Sequence, residues 1–379
     1  MDLNIILYES SSTGGNYDYA EALYTQYKKH QKVQSVDWVI PGGNDVPGSE
    51  WVHKILCSDK PKSRIGLINR LHFLWRHFFN PLILFFFILK KKRPMLIILN
   101  DFEQLSAFIW VPLYKIFLRK HRFAVVLHDP DRDAYPPSKK FSEASMRIMM
   151  SLMCLALYHE HLPLKSYYQP NGKTQYIKVP HGYYPKKNVD EVLFKELLSA
   201  KGDFKYVGII GNIRSEKNYA LAIQALIRLK DAKLVIAGSP ANSSVDIKAL
   251  GDFAKQSGVH ERVIWVIKYL SENEMAAVIE SVDVVLLNYK QSFTSQSGIL
   301  NLIAPYKKKI VASHTESSLT RVMERFKLGF LVNPDDLDDL VDQLSEMLSR
   351  DSSGNWDNYL KYASWENHVN IVINNLKDF

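Results

Sequence analysis

The residues best equipped for chemistry stand in two short turns, GNIRSEK at 211–217 and SFTSQSG at 292–298. The first follows an apolar run and precedes a helical stretch, where backbone N–H groups and the helix dipole favour an anion. Arg214 and Lys217 add two cations to the same turn, a set suited to a diphosphate. The second turn offers the hydroxyls of Ser295 and Ser297, the amide of Gln296, and backbone N–H groups at a helix start near Gly298. Each turn has an ordinary alternative: a solvated basic loop for the first, N-capping by Ser295 or Ser297 for the second. Two such cradles at one sheet edge strengthen the anion-binding reading of both.

The elements that position these turns follow from the apolar pattern. Apolar runs at 206–210, 233–237, 263–267, 283–287 and 309–312 alternate with helical stretches at 218–230, 272–280, 298–306, 318–326 and 335–348. Short continuous strands alternating with helices predict a parallel sheet covered on both faces, the Rossmann-like doubly wound α/β arrangement. The first half repeats the pattern with longer insertions. Its strands are expected at 3–8, 33–40, 95–99, 123–127 and 176–179, its helices at 17–30 and 104–118, and a small-residue loop at 10–16. The expected domains are therefore 1–185 and 186–355, with 182–190 as linker and a C-terminal helix in 356–379 packing back on the first domain.

The length of 379 residues exceeds the roughly 250–300 at which a single core stops growing, which agrees with two domains. With 46% apolar and 23% charged residues, the chain is neither disordered nor collagen-like nor disulfide-stapled. Cys57 and Cys154 have no metal-ligand spacing and point to a reducing compartment. The start, MDLNIILYES, lacks a basic leader and reads as a strand.

The formal charge of +8 is unevenly spread. Residues 1–185 hold 24 Lys and Arg against 15 Asp and Glu, and the remainder 24 against 25. A basic half implies an anionic partner: nucleic acid, a membrane surface or a phosphorylated substrate. No nucleic-acid-binding motif is present. Instead, LHFLWRHFFNPLILFFFIL at 71–89 places Phe85, Phe86 and Phe87 beside Lys90, Lys91, Lys92 and Arg93. The stretch 104–122 adds Phe108, Trp110, Tyr114 and Phe117 next to Arg119, Lys120 and Arg122. The uninterrupted apolar part of 71–89, residues 81–89, falls short of the ~20 residues of a span, so the expectation is peripheral contact with an anionic bilayer. Core helices with a solvated basic rim are the alternative.

In order, G-N-I-R-S-E-K, I-A-G-S, K-Y-L-S-E-N-E-M, S-F-T-S-Q-S-G, K-I-V-A-S and G-F-L-V-N-P-D-D resemble the nucleotide-binding domain of retaining GT-B glycosyltransferases, family 4 (glycosyl transferases group 1). The resemblance covers nearly all of 205–350. It is thinner in the first half, resting on Gly14–Gly15, V-V-L-H-D at 125–129 and V-P-H-G at 179–182. It implies two Rossmann-like domains facing across a cleft, and a metal-independent retaining hexosyltransferase without cofactor. Arg214 and Lys217 would hold the donor diphosphate, and His128 would lie on the acceptor side near the transferred sugar. Gly14, Gly15, Asn212, Gly238, Ser239, Tyr269 (beside the base), Ser295, Gln296, Ser297, Gly298 and Ile299 would complete the donor site. Asn16, Tyr17, Asp101, Asp129 and Asp131 would meet the acceptor, although turn capping explains the last two equally well.

Two departures stand out. Ser295 and Ile303 replace the glutamate pair frequent in the family, and Asn212 follows the glycine where an arginine is usual. The implied reaction moves a hexose from a nucleoside diphosphate sugar, UDP-glucose first and a GDP-sugar second, to a saccharide, lipid-linked acceptor in polysaccharide or glycolipid synthesis. The implied location is the inner face of the cytoplasmic membrane, with no nucleic-acid partner. Two alternatives remain: another GT-B enzyme such as a nucleotide-sugar epimerase or a phosphorylase, or a non-catalytic, degenerate membrane-associated relative.

Overall fold

The alternating pattern becomes two parallel sheets in a computed structural model, which describes residues 3–43, 48–60, 66–130, 138–168, 173–241, 245–350 and 354–376. The chain divides into one unit of Met1–His181 with Trp365–Phe379 and a second of Gly182–Ser364.

The first unit runs β1 (Leu3–Tyr8), α1 (Gly15–Lys29), β2 (Val33–Pro41), β3 (Val52–Leu56), α2 (Gly66–Leu89), β4 (Leu96–Leu99), α3 (Ala107–Phe117), β5 (Arg122–Leu127), α4 (Lys139–Met150), β6 (Leu155–Tyr158) and β7 (Gln175–Lys178). Among the described residues its sheet has the order β3-β2-β1-β4-β5-β6-β7, all parallel, with Leu7 opposite Trp38 on one side and Ile98 on the other. The second unit runs α5 (Glu191–Lys201), β8 (Lys205–Ile210), α6 (Tyr219–Arg228), β9 (Ala232–Ala237), α7 (Ile247–Gln256), β10 (Val263–Val266), α8 (Glu272–Ser281), β11 (Val284–Leu287), α9 (Gly298–Ile303), β12 (Lys309–Ser313), α10 (Ser318–Phe326), β13 (Phe330–Val332), α11 (Leu337–Ser349) and α12 (Trp356–Tyr362). Its order is β10-β9-β8-β11-β12-β13. A final helix, α13 (Trp365–Asn375), belongs to the first unit.

Strand alternation feeds two cores in the second unit. Tyr206 and Ile210 of β8 face Val285, Ile303 and Leu319, whereas Val207 and Ile209 face Ile223, Leu226 and Leu344. Helix starts are set by short polar side chains: Asp190 accepts from the Leu193 amide and Asn218 from that of Leu221, and Ser271 with Glu274 forms a capping box. The expected pattern lacks β3, β6 and β13. These are short or edge strands, and β3 (VHKIL) carries no continuous apolar run.

Two boundaries differ from expectation. Residues 183–184 belong to the second unit, because the Tyr183 amide donates to Ala363 O at 2.8 Å and that of Tyr184 to Asn301 O at 3.2 Å. The stretch 356–379 divides. Trp356 of α12 is buried in the second unit's core, and its Nε1 donates to Lys308 O at 3.0 Å. Only α13 joins the first unit, where His368 Nδ1 donates to Pro180 O at 2.8 Å and Trp365 packs edge-on against the buried Tyr19. Burial pushes the His368 imidazole down to about 3, so it serves there as a neutral donor. Trp356→Ala should cost about 3–5 kcal/mol in urea unfolding. Asp357→Ala next to it, which removes only an exposed ion pair with Lys307, should cost about 0–1 kcal/mol.

Candidate functional site

Strands β8 and β11 are neighbours although β9 and β10 separate them in sequence, so the strand order of the second sheet reverses between them. Loops leaving two such strands diverge and open a crevice at their carboxyl ends. The turn after β8 holds Gly211–Lys217, and the turn after β11 leads to Ser297 and α9. The topology thus brings both candidate turns to one place.

Backbone contact seats them. Gly211 has φ 86°, and a Cβ there would lie 2.4 Å from Ile299 Cδ1; a Cβ on Gly238 (φ 145°) would lie 2.3 Å from Gly211 O. Only glycine permits this approach, which closes the ends of β8 and β9 and the first turn of α9 on one another. Lys217 pairs with Tyr289 in an isolated antiparallel bridge. The Asn218 amide donates to Asn288 O, and Asn288 Nδ2 donates to Asn218 O, each at 2.8 Å.

Lys217 is 7% exposed, and its Nζ donates to Ile210 O at 2.7 Å. Burial pushes its ammonium down to about 7; the positive charge of Arg214 adds to the fall and Glu216 opposes it. A buried ammonium bonded to a neutral carbonyl lacks counter-charge, and an anion is what would complete it. Arg214 is exposed and makes no ion pair among the described residues. One dry cation and one wet cation therefore stand on a single turn.

Around them, Ser297 occupies the N-cap position of α9 without a side-chain cap bond. Its hydroxyl instead shares a 2.9 Å hydrogen bond with Tyr289 Oη, whose ring stacks on Phe293 at 3.9 Å. Ser297 is thus occupied in positioning Tyr289. Gln296 is half-buried, with Oε1 lacking a partner among the described residues. Ser295 and Ile299 are half-buried, Gly298 and Asn212 exposed, and Ser239 O accepts from the Ile213 amide at 2.8 Å. Tyr269, just beyond β10, is 82% exposed. Ile303 is in the core, so no ribose partner stands there.

The first unit has its own reversal, between β1 and β4. Glu9 and Ser10 follow β1, Asn100, Asp101 and Glu103 follow β4, and His128 and Asp129 follow β5. The fully buried Asn100 organises them. Its Nδ2 donates to Glu9 Oε2 at 2.5 Å and to Asn16 O at 2.9 Å, and its Oδ1 faces His128 Nε2 at 3.0 Å. The Asn16 carbonyl can only accept, which orients the amide, so Oδ1 is the acceptor and His128 carries a proton on Nε2. Ser10 Oγ donates to Asp101 Oδ2 at 2.9 Å. Burial, reinforced by Asp101, pushes Glu9 up to about 8, and burial does the same to Glu103. Glu9, Asn100 and Glu103 escape the sequence reading, because only the strand order reveals that residues after β1 and β4 share a crevice edge.

Gly14, at φ 89°, is the N-cap of α1, and open space surrounds it and Gly15. Several expectations are corrected. Tyr17 is buried with its ring 5.4 Å from Trp38, so it is part of the core and not an acceptor contact. Asn16 offers its carbonyl to Asn100. Asp129 is half-buried, and Asp131 lies outside the described residues. Phe85 is also core, against Tyr114 and Phe117. Phe87 is half-buried against His53, and Lys91 pairs with Asp37 at 2.7 Å while lying over the Phe87 ring. Arg93 donates to Gln34 Oε1 at 2.9 Å, and Phe86, Lys90 and Lys92 remain exposed.

Residues 190–363 match the family model for glycosyl transferases group 1. That match lies within the second unit, Gly182–Ser364. Over 167 residues it is 26% identical to D-inositol 3-phosphate glycosyltransferase of Mycobacteroides abscessus, a match covering 44% of this chain and 37% of that protein. The match thus spans little more than a third of that relative's length. Sucrose-phosphate synthase from Thermosynechococcus elongatus superposes with a TM-score of 0.70 at 14% identity, over 98% of this chain and 97% of that one. Anabaena Alr3699/HepE in complex with UDP and glucose superposes with a TM-score of 0.65 at 13% identity, over 99% and 100%. The chain shares the GT-B fold of these structures.

The Lys217 shift has a defined sign. Its folded value, about 7, lies below the ~10.4 of an unfolded lysine, so the associated stability is full above that pH and is lost as pH falls toward 7. Lys217→Met should therefore gain on the native chain between pH 10 and pH 7, by about 3–4 kcal/mol in urea unfolding.

Proposed function

We propose that the protein is a retaining hexosyltransferase that takes its sugar from a nucleoside diphosphate donor, UDP-glucose first and a GDP-sugar second. The observation that carries this reading is the buried Lys217 ammonium beside Arg214 at the β8/β11 reversal, a pair of cations whose chemistry suits an anion. The two cations take the donor diphosphate in place of a metal. As the bond from the anomeric carbon to the diphosphate breaks, they stabilise the charge gathering on the departing oxygen. The acceptor hydroxyl attacks on the same face, and its proton passes to a departing phosphate oxygen. In the first unit, His128 is held by Asn100 as the Nε2–H tautomer. Gly238, Ser239, Asn212 and the Ser295–Ile299 turn line the donor, with Tyr269 at the base.

The UDP and glucose bound to Alr3699/HepE, a protein of the same fold, favour UDP-glucose as first donor. The acceptor is a saccharide carried on a lipid, in polysaccharide or glycolipid synthesis. The basic first unit meets it at the inner face of the cytoplasmic membrane. A second reading, a degenerate relative without turnover, draws on the buried Ile303 in place of a glutamate. Failure of UDP-glucose to shift the melting temperature, with the chain folded, would favour it.

Arg214→Ala and Lys217→Ala should each lower kcat with UDP-glucose by about 10²–10³-fold while the chain stays folded, and EDTA should leave native turnover unchanged. Near-native turnover in both variants would remove the assignment.

UDP binding should carry a proton with it. A diphosphate beside Lys217 restores the ammonium that burial disfavours, so above pH ~7 binding takes up a proton and affinity falls as pH rises. Calorimetry in buffers of different ionisation enthalpy measures the uptake, which Lys217→Met should abolish.

A further inference from the structure

The longest helix of the first unit is inverted. Leu67, Leu71, Leu74, Trp75 and Phe78 of α2 recur at helical spacing along one stripe, and each is between 40% and 66% exposed. Asn69, His72, Arg76 and His77 are the half-buried residues on the other side. An amphipathic helix of a globular protein turns its apolar stripe inward, and this one turns it out. Ile68, Phe73 and Phe79 widen the exposed area, and Ile109, Ile116 and Phe117 of α3 are exposed as well. Contiguous apolar surface on this scale marks a contact with something apolar.

Charge identifies the occupant. From Lys60 to His128 the sequence holds thirteen Lys and Arg but only two acidic residues, Asp101 and Glu103. Both carboxylates are engaged within the unit, by Ser10 and by Tyr8. Lys90, Lys92 and Arg93 are exposed just past the C-terminal end of α2, as are Lys115 in the last turn of α3 and Arg119 and Lys120 after it. Aromatic and aliphatic side chains bordered by uncompensated cations are what a bilayer with anionic headgroups takes.

By length α2 could cross a membrane, since its 24 residues at ~1.5 Å each exceed a ~30 Å hydrocarbon core. Its attachments oppose that. Arg76 donates to Ser10 O at 2.7 Å, the Cys57 amide to Asn80 Oδ1 at 2.9 Å, and Tyr114 Oη to Pro81 O at 2.7 Å. Asn80, Pro81, Leu84, Phe85 and Ile88 are buried in the unit. Spanning would strip every one of these contacts.

We propose that α2 is an in-plane membrane-docking helix, inserting the Leu67–Leu71–Leu74–Trp75–Phe78 stripe into the interface of an anionic bilayer, with the cations around Lys90–Arg93 and α3 on the headgroups. This deepens the membrane reading above and moves its apolar anchor from Phe85–Phe87 to the N-terminal half of α2.

The test is flotation of the full chain with phosphatidylcholine vesicles, with and without phosphatidylglycerol, across a salt series. The native chain should bind the phosphatidylglycerol vesicles. Leu71→Ser with Trp75→Ser and Phe78→Ser should weaken that binding on the order of a hundredfold, with an unchanged melting curve because the side chains are already exposed. Lys90→Ser with Lys92→Ser and Arg93→Ser should weaken it roughly a hundredfold at low salt, a difference that shrinks as salt rises. Arg214→Ala should float like the native chain, which separates failure of docking from failure of the transfer reading. Equal flotation of the Leu71/Trp75/Phe78 variant would overturn the proposal. So would a native dimer in sedimentation that this variant abolishes, with no vesicle binding, since the stripe would then cover a second copy.

Discussion

A lysine ammonium kept almost entirely out of water organises the second unit. Lys217 could reach solvent on a flexible turn, yet the Gly211–Gly238 approach and the Ile299 side chain hold its Nζ beneath the end of β8, facing a backbone carbonyl. That position costs stability, because burial disfavours the charged form and nothing among the described residues neutralises it. The cost has a use: an anion arriving there finds a cation with little hydration to shed. Arg214, exposed on the same turn, supplies the complementary behaviour, a solvated cation that attracts from a distance.

The first unit applies the same topology with opposite chemistry. Its strand reversal gathers Glu9, Asp101 and Glu103 where the second unit gathers cations. Burial pushes Glu9 and Glu103 up to about 8, so near neutral pH this edge carries far less negative charge than its composition suggests. Asn100 converts the cluster into orientation. One amide, fixed by the Asn16 carbonyl and Glu9, decides which nitrogen of His128 holds the proton. Tyr19 then walls His128 in from the side, with ring centroids 4.5 Å apart at a nearly perpendicular angle.

Surface and core divide α2 along its length. Its C-terminal third packs in the unit, and its N-terminal half presents large apolar side chains outward while arginine and histidine face in. The same helix thus holds the fold at one end and offers a contact at the other. The aromatic run of the sequence around 71–93 does not fold into a single face. Phe85–Phe87 drew attention as a run, yet a helix distributes consecutive residues around its axis, so Phe85 went to the core, Phe86 to solvent and Phe87 to the edge.

The sequence by itself determined the α/β class, the alternation of elements in the second unit, the two polar turns and the charge imbalance between halves. Each is a local property, readable from strand runs, helix spacing and residue type. The resemblance to group 1 glycosyltransferases was legible for the same reason, since the motifs of 205–350 are short segments in a set order. Tertiary structure alone decided which turns became neighbours, because that depends on strand order. It also decided that Lys217 is dry and Arg214 wet, that Tyr17 and Phe85 are core, and that Ser297 serves Tyr289. It assigned α12 to one unit and α13 to the other. Burial is a property of what packs around a residue, and residues distant in sequence do that packing.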